Sequence, residues 1–599
     1  MEIREENIIN QVKEWTYTYI SPDFKFRKYQ LEAIVMVIKN VLFNSKIQVM
    51  EAPTGSGKSF IGIISAGVLW EYYKKKSYIL ASDLSLYRQY EDAIKKYKLP
   101  WGMLKGQDNY ICGRNGHIIS SSHCKIAMAP VSDLATPSKC AKIGYACAGS
   151  CPYIQDLVQA ARAPVTLLTY ALYFIRVQSE NESPMFPLKE GCPNLNLVAR
   201  DFVVCDEAHN LPSLVQNQFS PVVDTENLQF VELLNTFAED SGDVIPTVDS
   251  VKETIQYMVK FEQQDQVKVC AERLESQFAA LDSFSTEVVR ETVKNWPSEK
   301  KKEGMKYITA ANTCRDIHEC FKVFNSLVRG YSDKVIVKSN NKTGTGVRLN
   351  CAYEDKLIYE YFHKVAHNEL LMSATIGDVD IYRQLIGANN YEDDDFKPIE
   401  IKSTFDFSQS PIYYDTRYRM SYREKANSMP KVIKEAIDIC DKNKDKRGII
   451  HTGSYEVTEA FFKALTPSIR YRVIKYTNSK DKGLAIKRFL DSRDGILVGP
   501  SLLEGLDFAG DGCRFNIFMK MPYASLADNL VKAKMNLFPD WYSLDVCSRL
   551  EQGIGRGVRY NSDWCNTYIL DGCFSDILNQ QSRTKNLCES TVSRLVKIE

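Results

Sequence analysis

The sequence has no apolar run long enough to cross a bilayer. Its longest candidate, Val165 to Val177, is short and carries Arg176, so it reads as a buried helix. No N-terminal stretch has the order of basic, apolar and small residues that marks a secretory signal. A membrane role is therefore not expected, and the chain reads as intracellular, cytoplasmic or nuclear. A surplus of one charge is also lacking: 76 basic against 75 acidic residues leave +1. No global field draws such a chain to nucleic acid, so any such binding has to come from a local groove. The 17 cysteines, without a secretion signal, suit a reducing compartment. Five of them fall between Cys112 and Cys151, yet no two have C-x-x-C spacing.

What is present is ordinary globular material, 44% hydrophobic and 25% charged, over 599 residues. That length suggests roughly 3–4 domains. The stretch Glu51-Ala-Pro-Thr-Gly-Ser-Gly-Lys-Ser59 follows the apolar run Ile47 to Met50 and precedes Ile61, Ile64, Val68 and Leu69 at helical spacing. A strand, a glycine-rich turn and a helix start in that order make a phosphate-binding loop. Ala52 stands where the usual pattern has its first glycine. Gly55 and Gly57 permit the tight turn that points backbone N–H groups at phosphate oxygens, and the helix N-terminus adds positive partial charge. Lys58 would reach the β/γ-phosphates and the Ser59 hydroxyl would ligate Mg²⁺. Upstream, Gln30 in Phe26-Arg-Lys-Tyr-Gln30 has an amide able to read an adenine edge.

The chain supplies partners for such a loop. Tyr78 to Ser82 reads as a second strand, and Asp201 to Asp206 as a buried strand ending in two carboxylates. At that end of an open α/β sheet, Asp206 would hold Mg²⁺ through water and Glu207 would polarise the attacking water. His209 would couple this site to a neighbouring lobe. Leu370-Leu-Met-Ser373-Ala-Thr375 is a further strand ending in small hydroxyl residues. From about Lys446 the α/β alternation restarts, without a second phosphate loop. That half carries Glu504-Gly505-Leu-Asp507 and Gln552-Gly-Ile-Gly-Arg556-Gly-Val-Arg559. Arg556 and Arg559, three apart, would face one ligand if they open a helix, with Arg559 expected as the arginine finger on the γ-phosphate and Arg556 as the alternative.

These motifs in this order resemble the iron–sulfur superfamily 2 DNA helicases of the XPD/DinG type, from about Phe26 to Phe574. The most specific marks are DEAHNL (Asp206 to Leu211), the cysteine insertion, EGLDF and QGIGRGVR. The resemblance implies an α/β fold of two RecA-like motor domains, with an iron–sulfur insertion and a helical arch in the first. The corresponding segments are 1–110, 153–215 and 349–385 for the first motor domain, 111–152 for the cluster insertion, 216–348 for the arch and 386–599 for the second motor domain. It further implies 5′→3′ translocation on single-stranded DNA, unwinding of duplex DNA, ATP and Mg²⁺ as cofactors, and a monomer. Thr54, Ser56, Gly505, Asp507 and Gln552 join the nucleotide site on the same grounds. Since the last motif lies near the end, no accessory nuclease domain is expected.

Cuboidal clusters take four thiolates, so five cysteines leave one spare. The late trio Cys140, Cys147 and Cys151 with the early Cys112 resembles the DinG-type arrangement, with Cys124 as spare or substitute ligand for a [4Fe-4S] cluster. Structural Zn²⁺, with His117 or His123, is the rival. In the arch, Ile255, Met258 and Val259, then Leu274, Phe278 and Leu281, repeat at helical spacing and predict a helical hairpin. Lys300 to Lys302 reads as a solvated turn, and Lys338 to Gly346 as a loop on composition. RNA–DNA or RNA unwinding, and ATP-driven remodelling without strand separation, remain alternatives, because nothing here reads a 2′-hydroxyl.

Overall fold

The computed structural model describes residues 4–53, 55–112, 118, 151–178, 197–297, 299–330, 335–476, 478, 481–500, 502, 508, 510–558 and 563–598. Thr54, Cys124, Cys140, Cys147, Gly505, Asp507 and Arg559 therefore lie outside the described residues.

Two parallel sheets of seven strands each organise the chain. The first has the order Phe396–Glu400, Ile47–Glu51, Asn368–Ser373, Phe202–Asp206, Ser77–Ala81, Val165–Thr169 and Gly102–Met103. Its inner strands are largely apolar and almost wholly buried because helices cover both faces. The helix Lys58–Tyr73 lies on one face and buries Ile61, Ile64, Val68 and Leu69. Beside it, Leu84–Lys96 starts on Asp83, whose carboxylate accepts from the Ser85 and Leu86 amides at 2.6 and 3.0 Å. Tyr87, Tyr90 and Ile94 form the buried stripe of that helix.

The second sheet runs Val473–Lys475, Ile496–Gly499, Gly448–His451, Phe515–Phe518, Asn566–Ile569, Ile412–Tyr414 and Leu595–Lys597. The helix Trp541–Ile554 packs on it through Val546, Cys547, Leu550 and Ile554. Each sheet is a RecA-like layer.

Between the acidic strand and the Asn368–Ser373 strand the chain builds a helical body. Val248–Lys260 and Gln264–Phe284 pair as the spacing predicts, burying Ile255, Met258, Leu274, Phe278 and Leu281. The 29-residue helix Lys301–Arg329 packs along them. Lys301 and Lys302 thus lie inside the first turn of a helix, after a turn at residues 299–300.

Two expectations need correction. Val165 to Val177 is not one helix: Val165–Thr169 is an inner strand, and Tyr170–Arg176 is the helix that follows. The β-branched Val165, Thr166 and Thr169 suit a strand, and the Thr169 hydroxyl then caps the helix by accepting from Leu172 N at 3.3 Å. Lys338 to Gly346 is likewise not a simple loop. Ile336–Asn340 and Gly346–Cys351 pair antiparallel as a hairpin, with Val222–Asp224 on its outer side. Only residues 341–345 turn. The composition is polar because Ser339 and Asn340 sit toward the surface end of the strand. Among the described residues no helix is long and apolar enough to cross a membrane.

Candidate active site

The site forms where three neighbouring strands of the first sheet end together. Glu51 pairs with Ser373 and Met372 pairs with Asp206, which brings the phosphate loop, the acidic pair and the Ser-Ala-Thr motif to one edge. Gly55 and Gly57 both adopt positive φ, 84° and 86°, where any side chain would be strained. Space is short there as well. A Cβ on Gly55 would run into the Phe405 ring, and one on Gly57 into the Gln30 amide.

Lys58 opens the helix, and its ammonium lies 3.9 Å from Glu207 Oε1. Ser59 Oγ sits 3.5 Å from Asp206 Oδ2. Asp206 is buried and heavily held: Tyr90 OH donates to Oδ2 at 2.7 Å, and the Glu207 amide donates to Oδ1 at 3.0 Å. Burial, then the charge of Glu207 beside it, pushes the Asp206 carboxyl above its ordinary range. Glu207 goes the other way. Burial acts to raise it, but Lys58, His209 and Arg556 together outweigh that and hold it well below the usual carboxylate range. The two adjacent acids are thus set apart, one shifted upward and one firmly anionic. Glu207 also adopts a left-handed backbone, φ 54°, uncommon for a non-glycine residue and frequent at functional sites.

His209 links this edge to the second lobe. Its Nδ1 lies 2.7 Å from Ser373 Oγ and 3.3 Å from Glu207 Oε2, and its Nε2 lies 2.6 Å from the Gln552 amide nitrogen. A second crossing joins Ser548 to Thr375, hydroxyl to hydroxyl at 3.0 Å. Arg556 lies close enough to act on the charge of Glu207. It does not open a helix: Trp541–Ile554 ends before it, and Arg556 stands in the turn after Gly555. The glycines on either side favour a turn over continuation of the helix, so the three-residue spacing to Arg559 does not imply a shared helical face.

Gln30 is buried. Its amide donates to Gly57 O at 3.2 Å and accepts from Arg27 N at 3.0 Å, while the Arg27 guanidinium donates to Gly55 O. Both residues brace the loop from outside. Sequence reading missed Tyr90, Arg27, Ser548 and Phe405. Tyr90 had a signal, because it lies on the apolar stripe of its helix yet brings a hydroxyl. Phe405 had none, being one aromatic residue in the segment between the two sheets.

The residues fit a nucleotide with its Mg²⁺. The loop offers backbone donors and a cation, Ser59 and Asp206 offer hard oxygen ligands, and two buried polar atoms, Ser56 Oγ and Gln552 Oε1, have no partner.

Comparison with known proteins agrees with this geometry. Residues 23–237 match the family model described as type III restriction enzyme, res subunit, and residues 436–589 match that of the helicase C-terminal domain. The ATP-dependent DNA helicase XPD of Sulfolobus acidocaldarius is 21% identical, with 92% of this chain and 97% of that protein aligned. The ATP-dependent DNA helicase YoaA of Haemophilus influenzae is also 21% identical, over 94% and 95%. A solved XPD helicase superposes with a TM-score of 0.59 at 15% identity, covering 96% of this chain and all of that one. The chain is an ATP-dependent helicase, similar along most of its length to the XPD and YoaA helicases. The matched C-terminal model contains Gln552 and Arg556, and the matched N-terminal model contains Lys58, Asp206 and Glu207.

Cys112 and Cys151 are the two cluster candidates among the described residues, both half-buried against the first-lobe core. Tyr110 and Tyr153, two residues from each, meet edge to face at 5.5 Å. That contact anchors the two flanks of the cysteine segment to each other, and among the described residues no three cysteine, histidine or acidic side chains gather as a metal site.

Proposed function

We propose that the chain is an ATP- and Mg²⁺-dependent DNA helicase that steps along one strand, 5′→3′, and separates duplexes. The observation that carries this reading is the His209–Gln552 crossing, which links the acidic pair of one lobe, through His209, to the Trp541–Ile554 helix of the other. Lys58 and the loop amides hold the phosphates, and Gln30 and Arg27 set the loop for the base. Glu207, kept anionic, orients the attacking water. Arg556, with Arg559 as the alternative finger, meets the charge that develops on the γ-phosphate. Ser59 and Asp206 would hold Mg²⁺, which would supply charge neutralisation at the phosphates.

Cys112, Cys140, Cys147 and Cys151 hold a [4Fe-4S] cluster, with Cys124 as spare; the anchoring of the two flanks of this segment to each other supports this over unrelated core cysteines. Segments 111–152 and 216–348 enclose the single strand, which is gripped through its phosphates and by stacking on its bases. The protein works as a monomer in a reducing compartment.

Unwinding of tailed duplexes tests the whole reading. ATP-dependent separation of a 5′-tailed DNA duplex, and none of a 3′-tailed one, is expected. Preference for an RNA strand would move the assignment to hybrid or RNA unwinding. ATP hydrolysis stimulated by nucleic acid without separation of any substrate would make the chain a remodeller.

A further inference from the structure

The helix Asn529–Leu537 belongs to the second lobe but reaches across to the first and to its helical body. Its Lys534 is buried, and the ammonium lies 2.6 Å from Glu354 Oε1. Glu354 is 2% exposed and opens the short helix Glu354–Ile358, on which the chain leaves the helical body for the first sheet. The approach is too oblique for a hydrogen bond, so charge holds this pair. The same ammonium sits over the Trp541 ring, 4.1 Å from its centre. Around the pair, Leu385 of the first lobe packs with Phe538, Trp541 and Leu544 of the second. At the start of the helix, Asn529 Nδ2 donates to Lys338 O at 3.4 Å. The Lys338 ammonium in turn donates to Val259 O at 2.8 Å and Phe261 O at 2.5 Å, the carbonyls that close the helix Val248–Lys260. One helix of the second lobe therefore touches the helical body at its hairpin and at its exit.

We propose that Lys534 and Glu354 form a releasable clasp through which the second lobe, as it moves in the ATP cycle, acts on the helical body. Packing alone gives no reason for two charges here. An apolar pair of similar size would hold the lobes together as well and would carry no desolvation cost. Charges differ in how they part: once separated, each is solvated by water. The contact thus has two stable arrangements, dry and paired or open and wet. Trp541, beneath the ammonium, begins the helix whose last turn carries Gln552. The clasp and the His209–Gln552 crossing are therefore borne by one rigid element, so movement at the nucleotide is felt at the clasp. The inference rests on the reading of the chain as a motor that separates strands.

The number of base pairs separated per ATP hydrolysed tests it, measured with the full chain on a 5′-tailed DNA duplex beside phosphate release. Glu354→Gln, which keeps the shape and removes the charge, should lower that ratio by about fivefold or more, the low end of a typical coupling between sites. Hydrolysis stimulated by single-stranded DNA should stay near the parental rate. Lys534→Met, which keeps an unbranched stem beside Trp541, should do the same, and Lys534→Arg, which keeps the charge, should couple better than Lys534→Met. If Lys534→Met folds poorly, Glu354→Gln decides. A parental ratio in the folded Glu354→Gln variant overturns the proposal. So does an equal fall of unwinding and hydrolysis, which is what lost stability alone would give. If the parent itself separates no duplex, the motor reading fails first, and this inference with it.

Discussion

His209 and Gln552 touch across the cleft, ring nitrogen to amide nitrogen at 2.6 Å. The amide nitrogen can only donate, so His209 accepts at Nε2 and carries its proton on Nδ1, toward Ser373 and Glu207. One imidazole therefore reads the second lobe with one nitrogen and the acidic pair with the other. Gln552→Ala should keep basal ATP hydrolysis and lose most of its stimulation by single-stranded DNA. The ratio of rates with and without DNA measures this; an unchanged ratio would show that the contact carries no coupling.

Lys58→Ala should abolish ATP hydrolysis while leaving single-strand binding largely intact. Lys58 serves the phosphates and, with its charge, keeps Glu207 ionised. Fluorescence anisotropy of a labelled oligonucleotide, beside a phosphate-release assay, separates the two effects. A folded variant that hydrolyses ATP but no longer binds DNA would sink the motor assignment.

Arg556→Ala should bind ATP almost normally and turn it over about 10³-fold more slowly, the scale known for arginine fingers. Arg556→Lys should not rescue it, because a lysine lacks the planar fork. If Arg556→Ala is fast and Arg559→Ala is slow, the finger is the other arginine.

Tyr90→Phe removes the hydroxyl that donates to buried Asp206 at 2.7 Å. The loss should cost about 1–3 kcal/mol of stability, as for other buried groups deprived of a partner. It should also change the Mg²⁺ concentration that half-saturates hydrolysis. Denaturant unfolding and a Mg²⁺ titration of the rate are the measurements, and no change in either would mean that Asp206 does not depend on Tyr90.

The Glu51 carboxyl is pushed up to about 8, first by burial and then by Glu551 of the opposite lobe, against the pull of the Gly377 amide at 2.9 Å. Its folded pKa lies above the unfolded one, so the protonated form favours the fold. That advantage is complete in acid, fades as pH rises past the ordinary glutamate range, and is gone above about 8. Glu51→Gln should therefore gain thermal stability over the parent as pH rises from about 5 to about 8. A difference that stays flat would refute the shift.

Much of this was legible in the chain. The strands Ile47–Glu51, Phe202–Asp206 and Asn368–Ser373 were readable because parallel strands covered on both faces are short, largely apolar runs. The acidic pair was readable because two carboxylates at such a strand end have few structural uses. The hairpin at Lys338 was hidden, because its polar residues carry the composition of a loop while backbone pairing holds them extended. Arg556 was misplaced on a helix because spacing alone does not say on which side of a glycine a helix lies. Tyr90 acts through a partner 116 residues away, Asp206, and no local pattern encodes such a meeting.

Anaerobically purified protein should be brown, with about four irons per chain for a cuboidal cluster. Serine at Cys112, Cys140, Cys147 or Cys151 should bleach it and stop unwinding while basal hydrolysis survives, and Cys124→Ser should keep its colour. One zinc and no iron on metal analysis would end the cluster reading and leave the motor intact.

Phe405 packs with the second lobe yet rests against Gly55 of the phosphate loop. Any motion that parts the two lobes would lift this ring from the loop, so the backbone around the phosphates and the spacing of the lobes meet at one residue.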